Sequence, residues 1–276
     1  MISKNKIKYI RSLEMKKHRK ADGVFVAEGH KLVGDLIGHF QCCYIAATSE
    51  WLNTNYNMLL EKCREKIEID EVPDCELQRA SLQEHPQQVI AVFKQKNDFV
   101  DINETAKRNL CLMLDDVQNP GNLGTIVRMA DWFGIEHVFC SSGCADIYNP
   151  KTVQATMGGM ARVDVHYVDL VKTLSELSDD IPVYGTFLDG ENLYDKQLSE
   201  HGVIVMGNEG NGVSQQVADL VTERLFIPNY PIGRSTSESL NVAIATAIIC
   251  AEFRRRQGLS FRMKICYCEI LAKTKE

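Results

Sequence analysis

The 276-residue chain has no run of the roughly 18 uninterrupted apolar residues that a membrane-crossing helix needs. Its first segment, MISKNKIKYIRSLEMKK, lacks the apolar stretch of a secretory signal. The ten cysteines have no framework spacing, which excludes a disulfide-stapled secreted domain and points to a reducing compartment, the cytoplasm by expectation. Metal spacing is missing too. Cys42-Cys43 and Cys266/Cys268 are too close, and Cys140 and Cys144 have no second pair at finger distance, so no metal site is expected. Internal repeats and low-complexity tracts are absent. Positive charge is scarce overall, with a net charge of −6, but it is unevenly placed. Residues 1–20 carry eight Lys or Arg against one acid, and a second basic run stands at Arg254-Arg255-Arg256. Such patches can neutralise phosphates locally, or can be solvated helix faces.

What is present reads as two α/β regions. Residues 1–20 predict a basic amphipathic helix. Strands are expected over 24–29, 43–47, 67–72 and 89–93, with helices over 30–39, 50–66 and 74–84 between them. This is a small N-terminal domain, 21–94, with its own core. A polar stretch over 95–108 reads as a linker. The pattern then restarts over 109–258 as an open, mostly parallel sheet with helices on both faces. Ligand sites in such sheets lie beyond the carboxyl ends of the strands. A tail over 259–276 has no clear pattern.

Three segments stand at strand ends. Asn119-Pro-Gly-Asn122-Leu-Gly-Thr-Ile-Val-Arg128 follows the strand 110–114; Asn122 reads as a helix N-cap, with Arg128 less than two turns on. Gly207-Asn208-Glu209-Gly210-Asn211-Gly212 follows an apolar strand. Its spacing fits neither the dinucleotide fingerprint nor the Walker loop, so backbone contact with a ligand is preferred to phosphate binding. The third runs from Leu225 to Asn241 and leads into the apolar helix VAIATAIICAEF, with Ser237 or Ser239 as its expected cap. Read alone, each is a turn, a glycine loop or a capped core helix.

Together, in this order and spacing, the segments resemble the three motifs of the SpoU/TrmH family of RNA ribose 2′-O-methyltransferases, within the SPOUT superfamily. The resemblance covers residues 110–256. The run Phe25-Val26-Ala27-Glu28-Gly29-His30-Lys31-Leu32 is similar to the substrate-binding domain that many members carry.

The resemblance implies a deep C-terminal trefoil knot, a homodimer formed through the C-terminal domain, and S-adenosylmethionine as methyl donor. It implies donor contacts from Thr186, Met206, Gly207, Asn208, Gly212, Ile227 and Leu240, and active positions at Asn122, Arg128, Glu209, Ser239 and Asn241. Arg128 is the family's singled-out residue, often cast as a base. A guanidinium with pKa above about 12 is better suited to clamp a phosphate and stabilise the developing oxyanion. The loop carrying Arg234 is a further candidate RNA contact. Ribosomal RNA is the expected substrate by analogy of domain layout, without a membrane or metal partner. The alternatives are a transfer-RNA ribose methyltransferase, a non-catalytic RNA-binding paralogue, and a nucleotide-dependent enzyme using the glycine loop.

Overall fold

A computed structural model describes residues 2–63, 67–96, 99–231, 234 and 239–256. The chain forms two compact units. The first holds residues up to Phe99 with Gln118–Asp131 and Ala145–Val165; the second holds Val100–Val117, Trp132–Cys144 and the chain from His166 onward.

The first unit opens with two helices, α1 (Lys4–Ser12) and α2 (Lys16–Asp22), where the sequence predicts one. The break has a side-chain cause. Arg19 Nη1 donates to the carbonyls of Leu13 (2.8 Å) and Glu14 (2.7 Å), and Nη2 pairs with Asp146 at 2.5 Å. Helix-end carbonyls need such partners when the chain turns away from the axis. The strands β1 (Val24–Glu28), β2 (Cys42–Ala47), β3 (Glu68–Glu71) and β4 (Val89–Lys94) form a sheet in the order β1-β4-β2-β3. Pairs β1/β4 and β4/β2 are antiparallel and β2/β3 is parallel. The helices α3 (His30–Leu36), α4 (Ser49–Lys62) and α5 (Asp74–Ala80) are interleaved with them. The period-2 alternation of β1 sends Val24 and Val26 into one core cluster with Ile10, Leu13, Leu77 and Ile90. On the opposite face Phe25 meets Phe93, Phe40 and Tyr148, with ring centroids 4.9–5.6 Å apart.

In the expected linker a short helix, α6 (Ile102–Ala106), forms, capped by Asp101; Ala106 is fully buried. Then come β5 (Leu110–Leu114), α7 (Pro120–Trp132), β6 (His137–Cys140), α8 (Pro150–Ala155), β7 (Asp164–Tyr167) and α9 (Leu170–Ser175). β8 (Val183–Asn192), β9 (Gly202–Met206), α10 (Gln215–Ala218), β10 (Glu223–Phe226) and a helix over 242–256, α11, complete the described chain. The second sheet has the order β10-β8-β9-β5-β6-β7, and the pairs β10/β8, β8/β9, β9/β5 and β5/β6 are parallel. β5 and β9 are buried at every position, as expected for a parallel sheet covered on both faces. Ala106, Leu170, Leu174 and Val217 of α6, α9 and α10 pack with Cys111, Met113, Val203 and Val205. From α11, Phe253 packs edge-on to Tyr184 of β8 at 5.0 Å.

Two expected helix starts move. α7 begins at Pro120, and Asn119 is its cap: Oδ1 accepts from the amides of Gly121 (2.8 Å) and Asn122 (3.2 Å). Proline, with its φ preset and no N–H to satisfy, suits the first helical position, so the start falls two residues before Asn122. At α11 the cap is Asn241, whose Oδ1 accepts from Ala243 (3.0 Å) and Ile244 (3.3 Å), where Ser237 or Ser239 was expected. Ser237 and the tail 259–276 lie outside the described residues.

Candidate functional site

The site's scaffold in the second unit is a set of loops at the carboxyl ends of β5 and β9, which are neighbours in register (Leu114 opposite Met206). Asp115, just past β5, donates its amide to the Met206 carbonyl at 2.9 Å, and its Oδ2 accepts from the Ser214 amide at 2.8 Å. Asp116 takes the left-handed conformation (φ 60°), and its amide donates to Ser141 Oγ. These two acids are not among the sequence-predicted site residues; an acid pair closing an apolar run is the signal that points to them.

Asn208 is the pin of the glycine loop. Its Nδ2 donates to the Asp116 carbonyl (2.7 Å), and its Oδ1 accepts from the amides of Gly210 (2.8 Å) and Asn211 (3.0 Å). Its backbone exchanges two hydrogen bonds with Gly212. A Cβ on Gly207 would lie 2.2 Å from the Gly212 carbonyl carbon and 2.3 Å from the Val213 nitrogen, so only glycine allows the closure. The amides of residues 208, 210, 211 and 212 are thus all used inside the loop. A phosphate cradle needs such amides pointing outward, so the nucleotide-loop alternative loses its chemistry here.

Cys144 fastens the same region: it donates to the Leu114 carbonyl at 3.2 Å and accepts from the Val117 amide. Hydrogen bonding with Cys140 brings the Cys144 thiol down to about 7 against the opposing effect of burial, while Cys140 is pushed well up. Among the described residues, no three His, Cys, Asp or Glu side chains converge as metal ligands.

β8 follows β10 at Tyr184–Gly185 and again at Glu191–Asn192, so residues 186–190 bulge out between the two paired stretches. Thr186 is half-buried at the root of the bulge. Arg224 pins it by pairing with Asp189 (2.6 Å) and by covering the Phe187 ring at 3.5 Å. Of the other expected donor contacts, Met206 and Gly207 are buried, Asn208 and Ile227 are half-buried, and Gly212 is exposed. Leu240 leaves 48% of its surface exposed. Backbone groups with part-exposed aliphatic side chains at Ile227 and Leu240, and no open phosphate cradle, suit an adenosyl sulfonium better than a phosphate ester.

Glu209, Ser239 and Asn241 belong to this second unit. Glu209 is half-buried and Ser239 is exposed, while the Asn241 side chain caps α11. Arg234, also exposed, accepts at its carbonyl from Asn229 Nδ2. Asn122 and Arg128 belong to the first unit on α7. A separation of six positions turns them about 120° apart around the helix axis. Thr125 and Arg128, one turn apart on one face, line a cleft of about 740 Å³ in the first unit, while Asn122 does not. Arg128 is exposed, and no described carboxylate pairs with it. α7 is held in place by glycine: a Cβ on Gly124 would lie 2.5 Å from Ala155 Cβ and 2.6 Å from the Thr152 carbonyl oxygen of α8.

The basic runs are less open than their sequence implies. Arg19 is 1% exposed, Lys6 pairs with Glu68 and Asp70, and Arg11 donates to the Ser81 carbonyl. Arg254 donates to the carbonyls of Phe133 (2.7 Å) and Gly134 (2.9 Å). Arg255 and Arg256 clasp Glu252, whose carboxyl these hydrogen bonds hold down to about 2. Lys4, Lys8, Lys16, Lys17 and Lys20 remain exposed.

Fold and loops together define an α/β class whose parallel sheet presents a self-closed glycine loop at the carboxyl ends of its central strands. Residues 109–251 match the SpoU rRNA Methylase family, and residues 4–91 match the MRM3-like substrate binding domain. The chain belongs to the SpoU family, whose members are named RNA 2′-O-methyltransferases. It is 30% identical over 251 residues to the 23S rRNA (guanosine(2553)-2′-O)-methyltransferase RlmP of Bacillus subtilis, covering 90% of this chain and 96% of that one. A structure from Porphyromonas gingivalis assigned to the TrmH family of RNA methyltransferases superposes with a TM-score of 0.81 at 42% identity, covering 93% of this chain and 99% of that one. An AdoMet-bound rRNA methyltransferase from Sinorhizobium meliloti superposes with a TM-score of 0.79 at 25% identity, covering 93% and 96%. Among the described residues no helix is long and apolar enough to cross a membrane.

Proposed function

We propose that the chain transfers a methyl group from S-adenosylmethionine to a ribose 2′-hydroxyl of ribosomal RNA. The observation that carries this reading is the self-satisfied 207–212 loop beside β5, in a chain whose relatives of matching length carry that activity. When bound, the donor supplies a methyl carbon on a sulfonium, which leaves as a neutral thioether. The 2′-oxygen forms the new bond to that carbon, and its proton passes to solvent water as the bond forms. Met206, Ile227, Leu240 and the backbone of 206–208 hold the donor, with Thr186 and Gly212 at the edges of its pocket. Arg128 clamps the phosphate beside the reacting ribose and stabilises charge on the 2′-oxygen. Glu209 and Ser239 orient the hydroxyl. Asn241 acts through the start of α11, fixing the segment that carries Ser239, and Asn122 stands in the first turn of α7, the helix that carries Arg128.

The reading extends to the family's trefoil knot in the 109–258 domain, an RNA-holding domain over 21–94, and a homodimer. Sedimentation at micromolar concentration tests the dimer. The activity is tested by incubating the full chain with labelled S-adenosylmethionine and protein-free ribosomal or transfer RNA, then mapping 2′-O-methyl sites by mass spectrometry. One new site in ribosomal RNA is expected. Methylation of transfer RNA alone moves the substrate, and heat stabilisation by ATP but not by S-adenosylhomocysteine overturns the reading.

A further inference from the structure

Most basic side chains of the first unit that sit near its folded core are consumed by carbonyls and carboxylates, as Arg19, Arg11 and Lys6 show. Two cations on the walls of the 740 Å³ cleft are not. Arg128 on α7 and Lys151 on α8 are both exposed, and no described carboxylate pairs with either side chain. The same cleft holds an amide pair, in which Gln83 Nε2 donates to Gln154 Oε1 at 2.9 Å. One bond leaves most of the pair's capacity unused, with donor hydrogens and an acceptor oxygen still to be matched.

The turn bearing Gln83 is built with unusual care. Glu28, 4% exposed at the end of β1, accepts from Ser81 Oγ and from the Leu82 amide at 2.8 Å. Ser81 Oγ in turn accepts from the Gln83 amide at 2.9 Å. Burial raises the Glu28 carboxyl above its ordinary value against these hydrogen bonds, which marks a group kept at a cost to hold a turn. Gln83 therefore reaches the cleft from a fixed base, and Gln154 reaches it from α8, which packs closely on α7 at Gly124.

We propose that this cleft binds one unpaired nucleotide of the substrate RNA. Lys151 takes its phosphate, and the Gln83–Gln154 pair reads the edge of its base. The proposal rests on the RNA methyltransferase reading and adds the residues that choose the sequence. The volume falls within the ~300–1,000 Å³ of small-ligand sites, room for a splayed nucleotide but not for a helix. Only an unpaired base offers its pairing edge to side-chain amides. Two cations with one amide pair supply positioning and reading separately.

The full chain is titrated with a random pool of single-stranded RNA hexamers at several salt concentrations, and bound sequences are read out. Lys151→Ala is expected to weaken all sequences alike and to lower the salt slope by about 0.7, the value for one phosphate contact on a single strand, with Lys151→Arg restoring it. The double variant Gln83→Ala/Gln154→Ala is expected to keep the slope and to flatten the preference at one position by about tenfold. Heat stabilisation by S-adenosylhomocysteine should be unchanged in all three, which separates these effects from misfolding. An unchanged slope in Lys151→Ala, an unchanged preference in the double variant, or no hexamer binding by the wild type overturns the cleft proposal. Failure of the wild type to methylate any RNA overturns the underlying function instead.

Discussion

The turn at 81–83 and the loop at 207–212 both fix a short segment at a proposed ligand site, but with opposite means. The 207–212 loop is closed by backbone amides, one asparagine and a glycine with no room for a Cβ. The 81–83 turn hangs on a buried carboxylate, a hydroxyl and Arg11. Backbone closure is insensitive to protonation and suits a ligand common to a whole family. Side-chain closure can be re-specified one residue at a time, which suits a surface that must recognise a particular RNA.

Breaking the side-chain scheme elsewhere in the first unit should cost the most. Arg19→Ala leaves the partly buried Asp146 without its ion-pair partner and strips the Leu13 and Glu14 carbonyls. A loss of about 3 kcal/mol in unfolding free energy is expected by urea denaturation; a change under a third of that would show the α1–α2 break to be held by packing instead. Arg128→Ala should lower kcat for methyl transfer by about 10²-fold while leaving S-adenosylhomocysteine stabilisation intact. Full activity would remove Arg128 from the reaction. Gly207→Ala tests the backbone scheme directly. About 1–3 kcal/mol of stability and the heat stabilisation by S-adenosylhomocysteine should go together, because the new methyl meets backbone and not a movable side chain.

The smallest effect concerns pH. The carboxyl of Glu252 is depressed to about 2, so the stability from its clasp is present above the ordinary carboxylate value of 4.5 and is lost as pH falls towards 2. Glu252→Gln should cost about 1 kcal/mol at pH 7, since Arg255 is half exposed and screened. The gap to wild type should close between pH 4.5 and 2. A constant gap would assign the effect to packing.

The strands were legible because their signal is compositional. LCLML and VIVM are uninterrupted apolar runs, and the structure places them side by side at the centre of the sheet. Helix caps stand two to four residues from their expected positions where two cap-forming residues compete. Asn119 and Asn122 both qualify in sequence, and only the proline between them, fitting the first turn, decides. The basic segment 1–20 reads as one helix because no local pattern shows that Arg19 turns inward to carbonyls five and six residues back. The motif residues stand out in the sequence only through their joint resemblance. Asn208 as the pin of its loop, Asp115 as the anchor of Ser214, and the Gln83–Gln154 pair depend on partners 71 to 99 residues away. No periodicity carries that information.

The adjacency of β5 and β9 also sets a timetable. β5 lies next to a strand made about 90 residues later, so at ~5–20 residues per second it waits several seconds on the ribosome for its neighbour. During that interval its Leu110–Leu114 edge is an apolar strand with an unmatched hydrogen-bonding side, the kind of surface that chaperones occupy. The pairing that sets the loops after β5 and β9 side by side is therefore also the step that removes this open edge from the nascent second unit.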